Sequence, residues 1–374
     1  MKIGILGDTI LSPDTTIDQS LLKKLQESDL NIANLESPFI KEVFKQNNKK
    51  PGLHQLEHHA DQLKMLNVKA VSLANNHMFD FGEAGLFETI RILEAEGIIF
   101  FGAGPNREEA SMLKDFHVDN KTVAVGGYVS AYLYPHPATS RRPGTAVINE
   151  KRMIHALEKS NADIKLLSLH WNTEFEDYPD PYFLNMSKRL IGHCDAIIGA
   201  HPHCIQGIQT VQGKLVLHSI GNFTMPHRKY HMVSLGKFPD HCYQAFFVIL
   251  HIDDGNNIKI EKVPYHILDE GSHIAAMSDD EQVALEAKID NISAPLALDD
   301  TAYYTFYRNH KRRKFRPILG KSHIRNKFNI WFTFFVLKGI RRLSGFFARM
   351  LEILGIRSFV RKRFGFILDR LFKL

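Results

Sequence analysis

Over the first 265 residues, short runs rich in Ile, Val, Leu and Phe alternate with amphipathic stretches, and that alternation restricts the chain to an α/β architecture. Runs at 2–7, 31–34, 70–73, 98–101, 122–128, 165–169, 196–198, 215–218, 246–252 and 258–263 read as strands. Stretches at 20–27, 59–66, 83–96, 151–159 and 183–193 read as helices. Polar clusters repeatedly follow the carboxyl ends of the apolar runs, the edge where open α/β sheets bind ligands.

Six clusters stand out: Gly7-Asp8, Asn34-Leu35-Glu36, Ala74-Asn75-Asn76-His77, His170-Trp171-Asn172-Thr173-Glu174, His201-Pro202-His203 and Ser219-Ile220-Gly221-Asn222-Phe223. Taken singly each has an ordinary reading: Asp8 caps a turn, Asn75-Asn76 is a loop, His170 is a satisfied core histidine. Their joint occurrence at strand ends points to one site. Two carboxylates, an amide oxygen and several imidazoles are the oxygen and nitrogen donor set that suits Mn²⁺, Fe²⁺ or Zn²⁺. Two such ions would clamp a phosphoryl group and present an activated water, a chemistry that needs no protein nucleophile. In keeping with that, the sequence has no Gly-x-Ser-x-Gly elbow, no Walker-type loop and no Gly-x-Gly-x-x-Gly. The three cysteines, Cys194, Cys204 and Cys242, are widely spaced with no CxxC pair, which argues against a disulfide framework or a cysteine zinc knuckle.

At these residues the sequence resembles the bacterial capsule-synthesis CapA family, also called poly-γ-glutamate biosynthesis proteins, a branch of the calcineurin-like metallophosphoesterase superfamily. The resemblance spans roughly residues 1–264. It is carried by Asn34-Leu35-Glu36-Ser37-Pro38, by Ser72-Leu73-Ala74-Asn75-Asn76-His77 with Asp80 and Gly82, and by Gly102-Ala103-Gly104, His170-Trp171, Gly199-Ala200-His201-Pro202-His203 and Ser219-Ile220-Gly221-Asn222-Phe223. It implies a four-layer α/β/β/α metallophosphoesterase-like sandwich with a centre of two divalent ions (Mn, Fe or Zn) at one sheet edge. The metal ligands it implies are Asp8, Glu36, Asn76, His170, His201 and His203. It casts His77 as the group that protonates the leaving oxygen or stabilises developing charge, and Asp80 as its orienter. Asn75, Trp171, Glu174, Asn222 and Arg228 are the implied substrate contacts.

Two positions depart from the superfamily pattern. Isoleucine, Ile10, stands where the first motif carries Asp-x-His, and Asn34-Leu35-Glu36 replaces the usual Gly-Asp; both are usual within the CapA branch. The missing nitrogen leaves one metal position with three alternatives: weaker, completed by Glu36 or Glu174, or empty. The implied activity is hydrolysis of a phosphoester or related bond by a metal-activated water in capsule or exopolysaccharide biosynthesis. The alternative is an assembly subunit with a degenerate site, supporting a membrane polymer synthase for capsule or poly-γ-glutamate.

The formal charge of +6 hides an asymmetry. Residues 311–374 hold 18 Lys and Arg against two acids, while the remainder holds 29 basic against 39 acidic residues. Domains are therefore expected at 1–265, an appendage or linker at 266–310 with an acidic helix near 278–290, and a basic tail at 311–374. In the tail, Ile340, Leu343, Phe347, Met350, Leu351 and Leu354 recur at helical spacing, and Val360, Phe364, Ile367, Leu368 and Leu371 repeat the pattern. Such a basic amphipathic helix pair suits an anionic membrane interface, with packing on the globular body or on a partner as the alternative. The apolar run at 330–337 is too short to cross a bilayer, and the Leu/Phe stripe argues against nucleic acid as the partner. The N-terminal apolar run reads as a strand and not a signal peptide, giving the expectation of a cytoplasmic protein peripheral to the membrane.

Overall fold

The computed structural model describes residues 1–42, 51–227, 229–230 and 233–315. In chain order the elements that build the site are β1 (Lys2–Thr9), α1 (Gln19–Gln26), β2 (Leu30–Leu35), α2 (Asp61–Met65), β3 (Val68–Ser72), α3 (Gly82–Ala95) and β4 (Ile99–Phe101). They continue with α4 (Arg107–Ser111), β5 (Lys114–Val118), β6 (Lys121–Val129), α5 (Glu150–Lys159), β7 (Ile164–His170), α6 (Pro181–Leu190), β8 (Ala196–Ala200), β9 (Ile208–Val211) and β10 (Lys214–Leu217). The last are β11 (Asn222–Thr224), β12 (Gln244–Ile252), β13 (Ile258–Leu268), β14 (His273–Ala276), α7 (Asp279–Ser293) and α8 (Asp300–Phe315).

Two sheets result. The first runs in spatial order from the short strand Thr16–Ile17 through β14, β13, β12, β1, β2, β3 and β4, with β11 also paired to β1. Its β1–β2, β2–β3 and β3–β4 pairs are parallel, whereas β12 lies antiparallel to β1. The second runs β9, β10, β8, β7, β6, β5, with a parallel centre and antiparallel edges. Parallel strands buried on both faces explain why β1, β2 and β8 read as near-continuous apolar runs.

Three apolar clusters separate four layers. Leu21, Leu25, Leu63, Leu86 and Leu93 of α1, α2 and α3 pack on one face of the first sheet with Leu35 and Val71. Ile3, Ile5, Ile32, Val123, Leu166, Ile198, Phe246 and Val248 fill the space between the sheets. Met153, Leu157, Phe183 and Leu190 of α5 and α6 cover the outer face of the second sheet over Leu167 and Leu169. This is the expected α/β/β/α sandwich. Helix starts follow sequence signals: the Asn149 side chain accepts from Arg152 N at α5, and Asp180 accepts from Tyr182 N ahead of Pro181 at α6.

The boundary expected at residue 265 needs correction. The first compact unit extends from Met1 to Tyr307, so residues 266–307 of the stretch read as an appendage are part of it. β13 runs through to Leu268, β14 pairs with it, and Leu285, Ile289 and Ile292 of α7 enter the core between the sheets. The acidic composition of α7 masked a narrow buried stripe spaced three to four residues apart. The edge strands β5 and β9 and the short inner strand β14 also escaped the sequence reading; the half-exposed residues of β5 and β9 form no continuous apolar run. Of the second unit only residues up to 315, the end of α8, are described, and the expected amphipathic tail helices lie outside the described residues. No helix among the described residues is long and apolar enough to cross a membrane.

Candidate metal centre

The parallel strands of both sheets end at one place. Asp8 sits at the end of β1, Glu36 just past β2, Asn76 and His77 in the loop after β3, His170 at the end of β7, and His201 and His203 in the turn after β8. Asn222 opens β11 and pairs with Asp8 across the strands. That pairing requires Gly7, since a Cβ there would lie 1.9 Å from the Gly221 carbonyl oxygen. His201 and His203 adopt left-handed backbone conformations with φ of 96° and 57°, a strain that turns both rings back toward β1.

The side chains form one connected group. Asn34 Nδ2 donates to Asp8 Oδ1 at 2.7 Å and to Glu36 Oε2 at 2.6 Å, holding two carboxylates side by side. His201 N donates to Asp8 Oδ2 at 3.0 Å, and His203 Nδ1 lies 3.3 Å from the same oxygen. His170 Nε2 lies 2.8 Å from Asn76 Oδ1 and 3.5 Å from Glu36 Oε1, while its Nδ1 is 4.0 Å from Asp8 Oδ1. The His170 and His201 rings are 4.8 Å apart between centroids, and those of His201 and His203 5.8 Å. At the rim, half-buried His77 has its Nδ1 3.0 Å from Asp80 Oδ2, and Asp80 also accepts from Leu53 N.

Burial and neighbouring charge push these groups apart in proton affinity. Burial alone would raise Asp8, but the His203 hydrogen bond and charge, with His170 and the His201 amide, bring it below the ordinary carboxylate range. Glu36 is pushed well above that range by burial and by the Asp8 charge. Burial takes His170 down to about 3. His201 is also held well below its ordinary value, by burial and then by His170 and His203. For His203 burial acts downward, yet the Asp8 hydrogen bond and charge outweigh it and raise the imidazole.

A divalent cation fits this pocket. Glu36 Oε1, His201 Nδ1 and Asn34 Oδ1 are buried without a hydrogen-bond partner, a costly arrangement unless something binds them. Glu36, His170 and His201 offer donor atoms within 4.8 Å of one another, and Glu174, His201 and His203 offer a second such set. Imidazoles kept neutral by burial are in the form that ligates metal.

All six expected ligands, Asp8, Glu36, Asn76, His170, His201 and His203, thus meet in space, with Glu174 exposed beside the two later histidines. Three expected substrate contacts are placed differently. Trp171 is fully buried among Phe183 and Leu190, its indole N–H donating to His218 O at 3.0 Å, so it is a core residue under the site. The Asn75 amide is spent on backbone: its oxygen accepts from His77 N and Met78 N and its nitrogen donates to Leu35 O, which shapes the loop presenting Asn76. Asn222 Oδ1 lies 2.8 Å from His203 Nδ1 and orients that ring from a buried position. Arg228 lies outside the described residues. Asn34 was not expected as a site residue, although an amide two positions before Glu36, on the same face of an extended strand, was the signal available.

The family model described as bacterial capsule synthesis protein PGA_cap matches residues 11–227. The chain belongs to that family. A capsule biosynthesis protein CapA from Bacillus anthracis is 27% identical over 209 residues, 53% of this chain and 51% of that protein. The PGA biosynthesis protein CapA of Bacillus subtilis is 26% identical over 201 residues, 52% of this chain and 53% of that one. The chain therefore spans about half the length of the curated relatives it matches. Among solved structures, a 5′-nucleotidase precursor from Thermus thermophilus aligns with a TM-score of 0.44 and 13% identity, covering 79% of this chain and 60% of that one.

Proposed function

We propose that this capsule-synthesis family member is a metal-dependent phosphoesterase acting on a phosphorylated or polyanionic substrate in capsule, exopolysaccharide or poly-γ-glutamate production. The observation that carries this reading is the convergence of buried carboxylates and neutral imidazoles on unpartnered donor atoms, Glu36 Oε1 and His201 Nδ1. Glu36, His170 and His201 would hold one ion, and His203 with Glu174 would hold a second, with Asp8 and Asn76 completing the shells. When bound, such ions polarise the phosphoryl oxygen and supply a water acidic enough to attack near neutral pH.

The chain's own residues account for the rest. Asn34 keeps Asp8 and Glu36 together against their mutual repulsion. Asn222 fixes the His203 ring. Asp80 occupies His77 Nδ1, which leaves Nε2 as the atom that carries a proton for the leaving oxygen. The buried donors close one side of the pocket, and half-buried His77 and exposed Glu174 mark the side open to substrate. The basic tail would hold the protein at an anionic membrane surface, near a membrane polymer synthase.

A panel of phosphomonoesters and diesters, assayed with and without Mn²⁺, Fe²⁺ or Zn²⁺, tests the reading. Metal-stimulated hydrolysis that Glu36→Gln and His203→Ala each abolish is expected. No stimulated turnover by a folded, metal-loaded chain overturns it. One observation favours the assembly-subunit reading instead: Ile10, at the superfamily's histidine position, is sealed in an apolar cluster with Leu53, Met225 and Tyr230 and supplies no donor. Capsule production restored in full by an Asp8/His201 double variant would select that alternative.

A further inference from the structure

We propose that Cys204, His241 and Cys242 form a second metal site, taking a thiophilic divalent ion such as Zn²⁺, that ties the turn carrying His203 to the loop carrying Phe238. The donor atoms of the three side chains lie within 4.8 Å of one another. That is close to what a tetrahedral shell needs with metal–sulfur bonds of about 2.3 Å and metal–nitrogen bonds of about 2.0–2.1 Å. The Cys242 thiol is already in hydrogen-bond contact with both Cys204 and His241. Both cysteines are buried and neither forms a disulfide, whereas the His241 side chain is 27% exposed and leaves an edge for entry and for a fourth ligand.

His241 Nε2 lies 3.8 Å from Asp177 Oδ1, near that carboxylate but beyond hydrogen-bond distance. Two sulfurs and one imidazole make a soft set, unlike the oxygen-rich pocket on the other side of His203, so the two sites select different ions. Loading exchanges the two thiol protons for the ion and releases both to solvent.

The position gives the site a purpose. Cys204 directly follows His203, and its carbonyl accepts from Ser219 Oγ at 2.7 Å. Cys242 lies in the short turn Asp240–Tyr243, just past Phe238, whose ring stacks on His203 at 5.3 Å. Phe175 lies 5.3 Å from Phe238 and 6.0 Å from His203. An ion shared by Cys204 and the His241-Cys242 pair therefore fastens the aromatic wall that covers His203 and closes the chain between residues 204 and 242.

The full-length chain, stripped of metal and kept reduced with a phosphine, is titrated with Co²⁺ and followed by absorption. The expected result is a sulfur-to-cobalt charge-transfer band that rises to a plateau as cobalt is added and is lost in Cys204→Ser and in Cys242→Ser. The band should persist in Asp8→Asn, which alters only the oxygen-rich pocket. Should the serine variants misfold, alkylation of the unmutated chain decides: Zn²⁺ should protect Cys204 and Cys242 but not Cys194. A folded, reduced chain that gives no sulfur band and no zinc protection overturns the proposal, as does a band that survives both serine substitutions. Recovery of a Cys204–Cys242 disulfide from a chain that shows no band when reduced also overturns it.

Discussion

The two sheets contribute unlike halves of the same pocket. The first sheet ends in oxygen donors, Asp8, Glu36 and Asn76, and the second in imidazoles, His170, His201 and His203. Without a cation the halves settle in opposite ways: Glu36 is pushed toward its neutral acid, while His170 and His201 are held as neutral bases. Neither half is a site alone. What sets them in register is the apolar layer between the sheets, so the arrangement of these donors depends on residues that touch none of them.

The sharpest way to break that comparison is to loosen the layer. Phe246 is fully buried between the sheets, and Phe246→Ala should cost about 3–5 kcal/mol of stability, read from the urea midpoint. The remaining folded protein should also bind divalent ions more weakly. Unchanged ion affinity in that variant would mean that local hydrogen bonds, and not the sheet packing, hold the halves together.

A smaller effect is expected inside the oxygen half. Asn34→Ala removes the amide shared by Asp8 and Glu36 and leaves buried carboxylate oxygens unsatisfied, costing about 1–3 kcal/mol in thermal melts with chelator present. A divalent ion should recover part of that loss, because it would screen the same two carboxylates. Equal destabilisation with and without the ion would separate Asn34 from any metal role.

The imidazole half sharpens the comparison through pH. The folded state depresses His170 from 6.5 to about 3, so its contribution to stability is complete above pH 6.5 and is lost as pH falls from 6.5 toward 3. His201 acts in the same direction. Glu36 acts oppositely, because its raised value makes the cation-free fold lose stability as pH climbs through it. Melting temperature against pH in chelator should therefore fall on the acid side. Replacing His170 by Gln should flatten that limb.

The donors were legible in the sequence because each follows an apolar run, and strand ends of parallel sheets are where the fold gathers ligands. Most strands were legible for the same reason, being buried on both faces. What could not be read was whatever depends on distance across the fold. Trp171 and Asn75 sit in site motifs, yet burial and backbone hydrogen bonds consume them. The wide separation of Cys204 and Cys242 gave no hint that they meet, and α7 hid a buried stripe under an acidic composition.

The most direct test of the account is anomalous diffraction from crystals of the full chain grown with Mn²⁺, collected on both sides of the manganese absorption edge. A manganese peak at bonding distance from Glu36, His170 and His201 is the predicted result. Folded density for those three side chains with no anomalous peak among them would contradict it.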